Sequence, residues 1–101
     1  MVKHIILWTL KSEYSNEEKE AIKAEIKKGL EGLAGVIEGL KEIHVYTNRL
    51  ESSNADLMLD STFTSAEALK GYSVHPAHVE VANSKVRPYT AVRSGLDFET
   101  E

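Results

Sequence analysis

The chain has 101 residues, of which 42% are hydrophobic and 28% charged, with a formal net charge of −4 and no cysteine. That length and balance predict one ordinary globular domain over residues 1–101, with a single modest core that removes roughly 60–70% of the unfolded surface from water. The lack of cysteine excludes disulfides, thiolate metal sites and thiol nucleophiles, and the lack of a Lys/Arg cluster argues against nucleic acid as a partner.

The opening run Met1–Leu10 is rich in apolar residues but too short to span a bilayer, and it lacks the small-residue pattern of a cleaved signal. No membrane partner is expected, and the cytoplasm is the default compartment. Read as a strand, the run places His4, Ile6, Trp8 and Leu10 on one face and Lys3, Ile5, Leu7 and Thr9 on the other. Apolar residues on both faces predict a strand covered on both sides.

Ser15-Asn16-Glu17-Glu18 is a capping box, and a helix should follow to about residue 33 with Ile22, Ile26 and Leu30 inward. Lys19, Lys23, Lys27 and Lys28 are interleaved with glutamates and read as its solvated face. Gly29 and Gly32 should weaken its end by roughly 1 kcal/mol each. Gly35 and Gly39 mark an exit loop. Residues 41–50 alternate, with Ile43, Val45 and Thr47 against His44 and Tyr46, and His44 is read as a dimer-interface or solvent residue. A turn at 51–55 and a strand over Asp56–Phe63 complete a predicted hairpin.

Ser65 caps a short helix that reaches about Tyr72. Pro76 can open a second, over Ala77 to about Lys85. A last strand falls within Val86–Phe98 and should pair near the first, ahead of a short acidic tail at Asp97–Glu101. The order β-α-β-β-α-β is the split βαβ, or ferredoxin-like, arrangement of the α+β class. Right-handed crossovers put both helices on one face of a four-stranded antiparallel sheet. The bare face then needs a second subunit, so a homodimer with packed sheets is predicted.

Two of the four histidines and a tyrosine cluster in Tyr72-Ser73-Val74-His75-Pro76-Ala77-His78. Histidine can both give and take a proton near neutral pH. His78, in the first turn of a helix, is a candidate general base whose pKa the helix N-terminus should lower; the bland reading is a structural histidine. Tyr72 could hold a carbonyl oxygen while an enolate develops, or it could simply plug the core. His75, extended by the following proline, suits an N-cap that shapes the loop. His4 reads as a satisfied core histidine unless its face meets His78. His75 and His78 are three apart across a proline and no carboxylate completes a ligand set, so no metal and no cofactor is expected.

Val2-Lys3-His4-Ile5-Ile6-Leu7, Ser61-Thr62-Phe63-Thr64-Ser65-Ala66-Glu67-Ala68-Leu69, Gly71-Tyr72-Ser73-Val74-His75-Pro76-Ala77-His78-Val79 and the closing Leu96-Asp97-Phe98 together resemble the stress-responsive dimeric α/β-barrel (Dabb) family over nearly the whole chain. The resemblance implies a ferredoxin-like subunit and a dimeric barrel. Some plant members resemble polyketide cyclases, in which a tyrosine and a histidine promote an intramolecular aldol condensation; the matching positions are Tyr72 and His78, with His4 matching a strand histidine. A further histidine of that group falls where this chain has Leu57, and a helix-1 tyrosine is replaced by residues such as Ile22, Ile26 and Leu30.

Two functions compete. In one, a pocket between sheet and helices takes a small apolar carbonyl or phenolic ligand, lined by Ile6, Trp8, Leu57, Leu59, His75 and Val81 beside Tyr72 and tipped by His4 and His78, for cofactor-free acid/base chemistry. In the other, the dimer is a non-catalytic stress-associated protein with a filled interior and structural histidines.

Overall fold

The computed structural model describes residues 1–100. Four strands, β1 (Val2–Leu10), β2 (Leu40–Tyr46), β3 (Leu57–Phe63) and β4 (Thr90–Glu99), form one antiparallel sheet in the order β2-β3-β1-β4. Helices α1 (Asn16–Glu31), α2 (Ala66–Val74) and α3 (Pro76–Val81) fill the two crossovers. This is the ferredoxin-like subunit that the element order predicts. The strand printed last in the sequence runs beside the first, and β2–β3 is the expected hairpin.

Burial along β1 alternates, so one face carries the core. Ile6, Trp8 and Leu10 are buried with Leu57, Leu59 and Phe63 of β3 and Ile43 and Val45 of β2. Ile26 and Leu30 of α1, and Leu69 and Tyr72 of α2, close over them. Each such side chain contributes about 1.5–3 kcal/mol by leaving water. The opposite face carries Ile5 and Leu7 of β1, Tyr46 of β2, and Val92, Leu96 and Phe98 of β4. There Val92 is 55% and Leu96 63% exposed, with Leu7, Tyr46 and Phe98 also open to solvent.

The capping box forms as the sequence dictates: the Glu18 amide donates to Ser15 Oγ at 3.1 Å, and the Ser15 amide donates to Glu18 Oε1 at 2.8 Å. The lysine face of α1 is not simply solvated. Lys23 is buried, with its Nζ 3.0 Å from Glu20 Oε2. Lys27 Nζ donates to the Val45 carbonyl at 2.8 Å, and Glu31 Oε2 accepts from the Val45 amide at 2.9 Å. An edge strand leaves such main-chain groups without a ladder partner, and α1 satisfies them with its own side chains.

Gly29 is a contact point rather than only a weak helix former. A Cβ there would lie 2.9 Å from Val81 Cγ1, so α1 and α3 approach through the missing side chain. Gly39 combines φ +85° with a site where a Cβ would lie 2.5 Å from Ala68 Cβ.

Two expectations near the C-terminus are corrected. The second short helix does not run to Lys85: α3 ends at Val81, a π turn follows over Ala82–Val86, and a 3-10 turn spans Arg87–Tyr89. Pro88 lacks the amide a longer helix would need there, and Ser84 Oγ donates to the Glu80 carbonyl at 2.7 Å, which competes with the main-chain ladder. The acidic tail is also not a tail as far as it is described. Asp97, Phe98 and Glu99 belong to β4, paired opposite His4, Lys3 and Val2; Glu101 lies outside the described residues.

Candidate functional site

The loop between α2 and α3 sets the site. His75 closes α2 and caps α3 at once, its Nδ1 accepting from the Ala77 amide at 3.1 Å, and Pro76 takes the first helical position. That fixes the distance between Tyr72, in the last turns of α2, and His78, in the first turn of α3. Their ring centroids are 4.2 Å apart at an interplanar angle of 38°. His4, on the inward face of β1, brings its ring to 6.1 Å from Tyr72 at 66°. Phe63 packs edge-on to Tyr72 from the other side, at 5.0 Å.

These rings border a cavity of about 190 Å³ between the sheet and the helices. His4, Ile6, Trp8, Leu59, Tyr72 and His78 line it, together with Leu30, Ser73, Ala82, Val86, Arg87, Thr90 and Arg93. It opens beside β4. The inward positions of that strand are Arg93, Gly95 and Asp97, opposite Trp8, Ile6 and His4. They are polar or small, so no helix packs down on them and the hollow stays open there.

The polar atoms inside are poorly partnered. Tyr72 Oη and His78 Nδ1 are buried with no hydrogen-bond partner. A buried polar group left without a partner costs stability, so such pairs mark places where something else can bond. Burial pushes the Tyr72 phenol well above its ordinary pKa, so it keeps its proton. Burial likewise holds the His78 imidazole below its ordinary value; the nearby Ser73 main chain opposes this, and the charges of Arg87, His4 and Arg93 add to the lowering. Desolvation, not the helix end, is the largest cause. His4 Nδ1 is paired with an Asp97 carboxylate oxygen, which can only accept, so the ring nitrogen facing it carries the proton. Among the described residues no three His, Asp or Glu side chains converge as a metal-holding group.

Compared with known families, residues 2–100 match the stress responsive A/B barrel domain, Dabb. The chain belongs to the Dabb family. It is 38% identical over 85 residues to the stress-response A/B barrel domain-containing protein HS1 of Arabidopsis thaliana, a match covering 80% of this chain and 73% of that protein. A dimeric protein of unknown function and ferredoxin-like fold from Bacteroides fragilis superposes with a TM-score of 0.91 at 28% identity, covering 98% of this chain and 95% of that one. The hydroxynitrile lyase of Passiflora edulis shares the fold at a TM-score of 0.71 and 20% identity, over 96% of this chain and 90% of its own.

Within this Dabb fold, His4, Ile6, Trp8, Leu59, Tyr72 and His78 are brought to one cavity, and three other residues expected there are not. Leu57 is buried in the core opposite Trp8, but it borders a separate depression under the β2–β3 loop. Val81 turns toward Gly29 on α1, where the absent Cβ makes room for it. His75 faces a groove with Gly39 and Ala68 while it caps α3. His44 stands exposed on the outward sheet face beside Tyr46. Sequence reasoning missed Arg87 and Arg93. The alternation of β4 held the signal for Arg93, which shares a strand face with Gly95 and Asp97. Arg87 depends on the π turn, which leaves no signature in the sequence. Among the described residues no helix is long and apolar enough to cross a membrane.

Proposed function

We propose that residues 1–101 act as a single domain in a homodimer, and that each subunit's cavity takes a small apolar carbonyl or phenolic ligand for cofactor-free acid/base chemistry of the cyclase type. The observation that carries this reading is the pair of unpartnered polar atoms, Tyr72 Oη and His78 Nδ1, on tilted neighbouring rings at the wall of one 190 Å³ hollow. Two polar atoms placed in this way can both bond one ligand in the cavity.

The chemistry follows from the two protonation states. A neutral His78 imidazole removes a proton from the carbon next to a carbonyl. The electron pair moves onto that carbonyl oxygen as an enolate. The enolate carbon then bonds to a second carbonyl carbon of the same chain, and the oxygen there gains negative charge. Tyr72, holding its proton, donates a hydrogen bond to that oxygen. The imidazolium of His78 returns the proton to that oxygen; the resulting hydroxyl leaves with a proton of the neighbouring ring carbon as water, and enolisation of the remaining carbonyls makes the ring aromatic. Asp97 acts through His4 as a positioning residue. Support for the dimer lies in the apolar outward face of the sheet and in relatives described as dimeric.

The test is a cyclisation assay with a linear triketone ending in two methyl groups, whose aldol ring closure and dehydration give orcinol. The full chain should speed orcinol formation over buffer, and His78→Gln should lose about 100-fold or more of that acceleration. Tyr72→Phe should lose a similar factor while its melting temperature holds, because no partner of the hydroxyl is lost. Equal rates for the wild type, His78→Gln and buffer would sink the catalytic reading.

A further inference from the structure

The lining of the cavity holds two guanidinium groups, Arg87 and Arg93, and no Asp or Glu at all. That balance is the reverse of the chain's, which has 16 acidic against 12 basic residues. It does not arise from ion pairing. The nearby acid, Asp97, is taken up by His4. Arg93 has no carboxylate within ion-pair distance among the described residues, and Arg87 bonds only the side-chain oxygen of Asn83.

The placement of Arg93 is built into β4. It lies on the inward face, and two residues on along that face stands Gly95. A Cβ at Gly95 would come within 2.6 Å of Ile6 Cδ1 and 3.8 Å of Arg93 Nη1. The missing side chain therefore leaves room for the guanidinium to fold back along the sheet toward Ile6, which itself lines the cavity. Arg87, on the turn after the π segment, lines the same cavity. Two cations lining one cavity whose other walls are largely apolar suit a ligand with one anionic end. A guanidinium fork matches the two oxygens of a carboxylate.

We propose that the cavity selects carboxylic acids, holding the carboxylate at its mouth between Arg93 and Arg87 while the carbonyl or phenol of the same ligand reaches Tyr72 and His78. This deepens the function proposed above and rests on its reading of the cavity as a ligand site, though not on the reaction.

The experiment is isothermal titration of the full chain with para-hydroxybenzoate and with para-hydroxybenzamide, which differ in charge and little in shape. The acid should bind about tenfold more tightly, with the advantage shrinking as salt is added. Arg93→Gln should weaken the acid several-fold more than the amide and so shrink the preference, Arg93→Lys should keep more of it, and Arg93→Gln with Arg87→Gln should bring the acid to the affinity of the amide. Arg87→Gln provides a second, independent removal of charge. Equal affinity of acid and amide for the wild type overturns the proposal, as does Arg93→Gln weakening both alike. If neither compound binds, the ligand-site reading falls with it. Turnover of the neutral triketone without preference for the acid sinks the carboxylate assignment alone. Preference for the acid without turnover keeps the assignment and sinks the proton chemistry.

Discussion

The site turns on a few atoms that are polar, buried and left without partners. His78 illustrates what this costs and what it allows. Its imidazole is half-buried and titrates below the ordinary value of 6.5 because burial disfavours the charged ring. The unfolded chain therefore binds a proton that the folded chain resists, and stability is lost as pH falls from 6.5 toward the folded value. Thermal melts across pH 7 to 5 should show a falling melting temperature that His78→Gln flattens; identical slopes in both proteins would remove the assigned burial effect. Catalysis has the matching sign, since a base needs the neutral ring. The rate should stay level from neutral pH down to below 6.5 and fall only on the acid side of the folded value. Tyr72 sets no limit near neutrality, because burial moves its titration upward.

At the scale of elements, local signals and close packing leave different traces. The capping box of α1 is local: Ser15→Ala should cost about 1 kcal/mol, read from the denaturant midpoint, with the fold unchanged. Gly39 is held by both backbone and packing, with φ +85° and Ala68 at 2.5 Å from a would-be Cβ. Gly39→Ala should therefore cost more than Ser15→Ala, about 2 kcal/mol or more by the same measurement. A smaller loss for Gly39→Ala would mean that α2 can shift away from the β2 entrance. The cap, the hairpin and Pro76 were all legible in the sequence because each is set by residues close in the chain. The break after Val81 was not, since the opposition inside Ala77–Lys85 comes from the Ser84 hydroxyl bonding back to the Glu80 carbonyl, and a serine within a helix does not by itself announce that bond. Lys27 and Glu31 read as solvated charges, yet they meet the edge of β2, fourteen or more residues away.

For the whole molecule, the decisive feature is a sheet with one face under helices and one bare. The bare face presents Leu7, Tyr46, Val92, Leu96 and Phe98, an apolar patch of the kind that marks an interface. The full chain should scatter light as twice its 11.2 kDa. Leu96→Asp, which places a charge in that patch without touching the helix side, should yield a monomer that keeps its far-ultraviolet circular dichroism. A wild-type monomer at micromolar concentration would sink the proposed homodimer and leave the subunit fold untouched.

Residues near one another in the chain were enough to specify the elements, their order and the alternation that makes one strand face the core. From that order, handedness rules fixed the subunit topology, and the pairing of Tyr72 with His78 followed from a short loop around Pro76. Folding in three dimensions decided the rest. It brought His4 to those rings across 68 or more residues, matched Asp97 to His4, and sent Val81 to Gly29 rather than to the cavity. It also brought Arg87 and Arg93 to one cavity. The physical reason is range: capping, turn chemistry and periodicity act over a few residues, whereas the charge and shape of a cavity are sums over strands and turns that meet only once the sheet has closed.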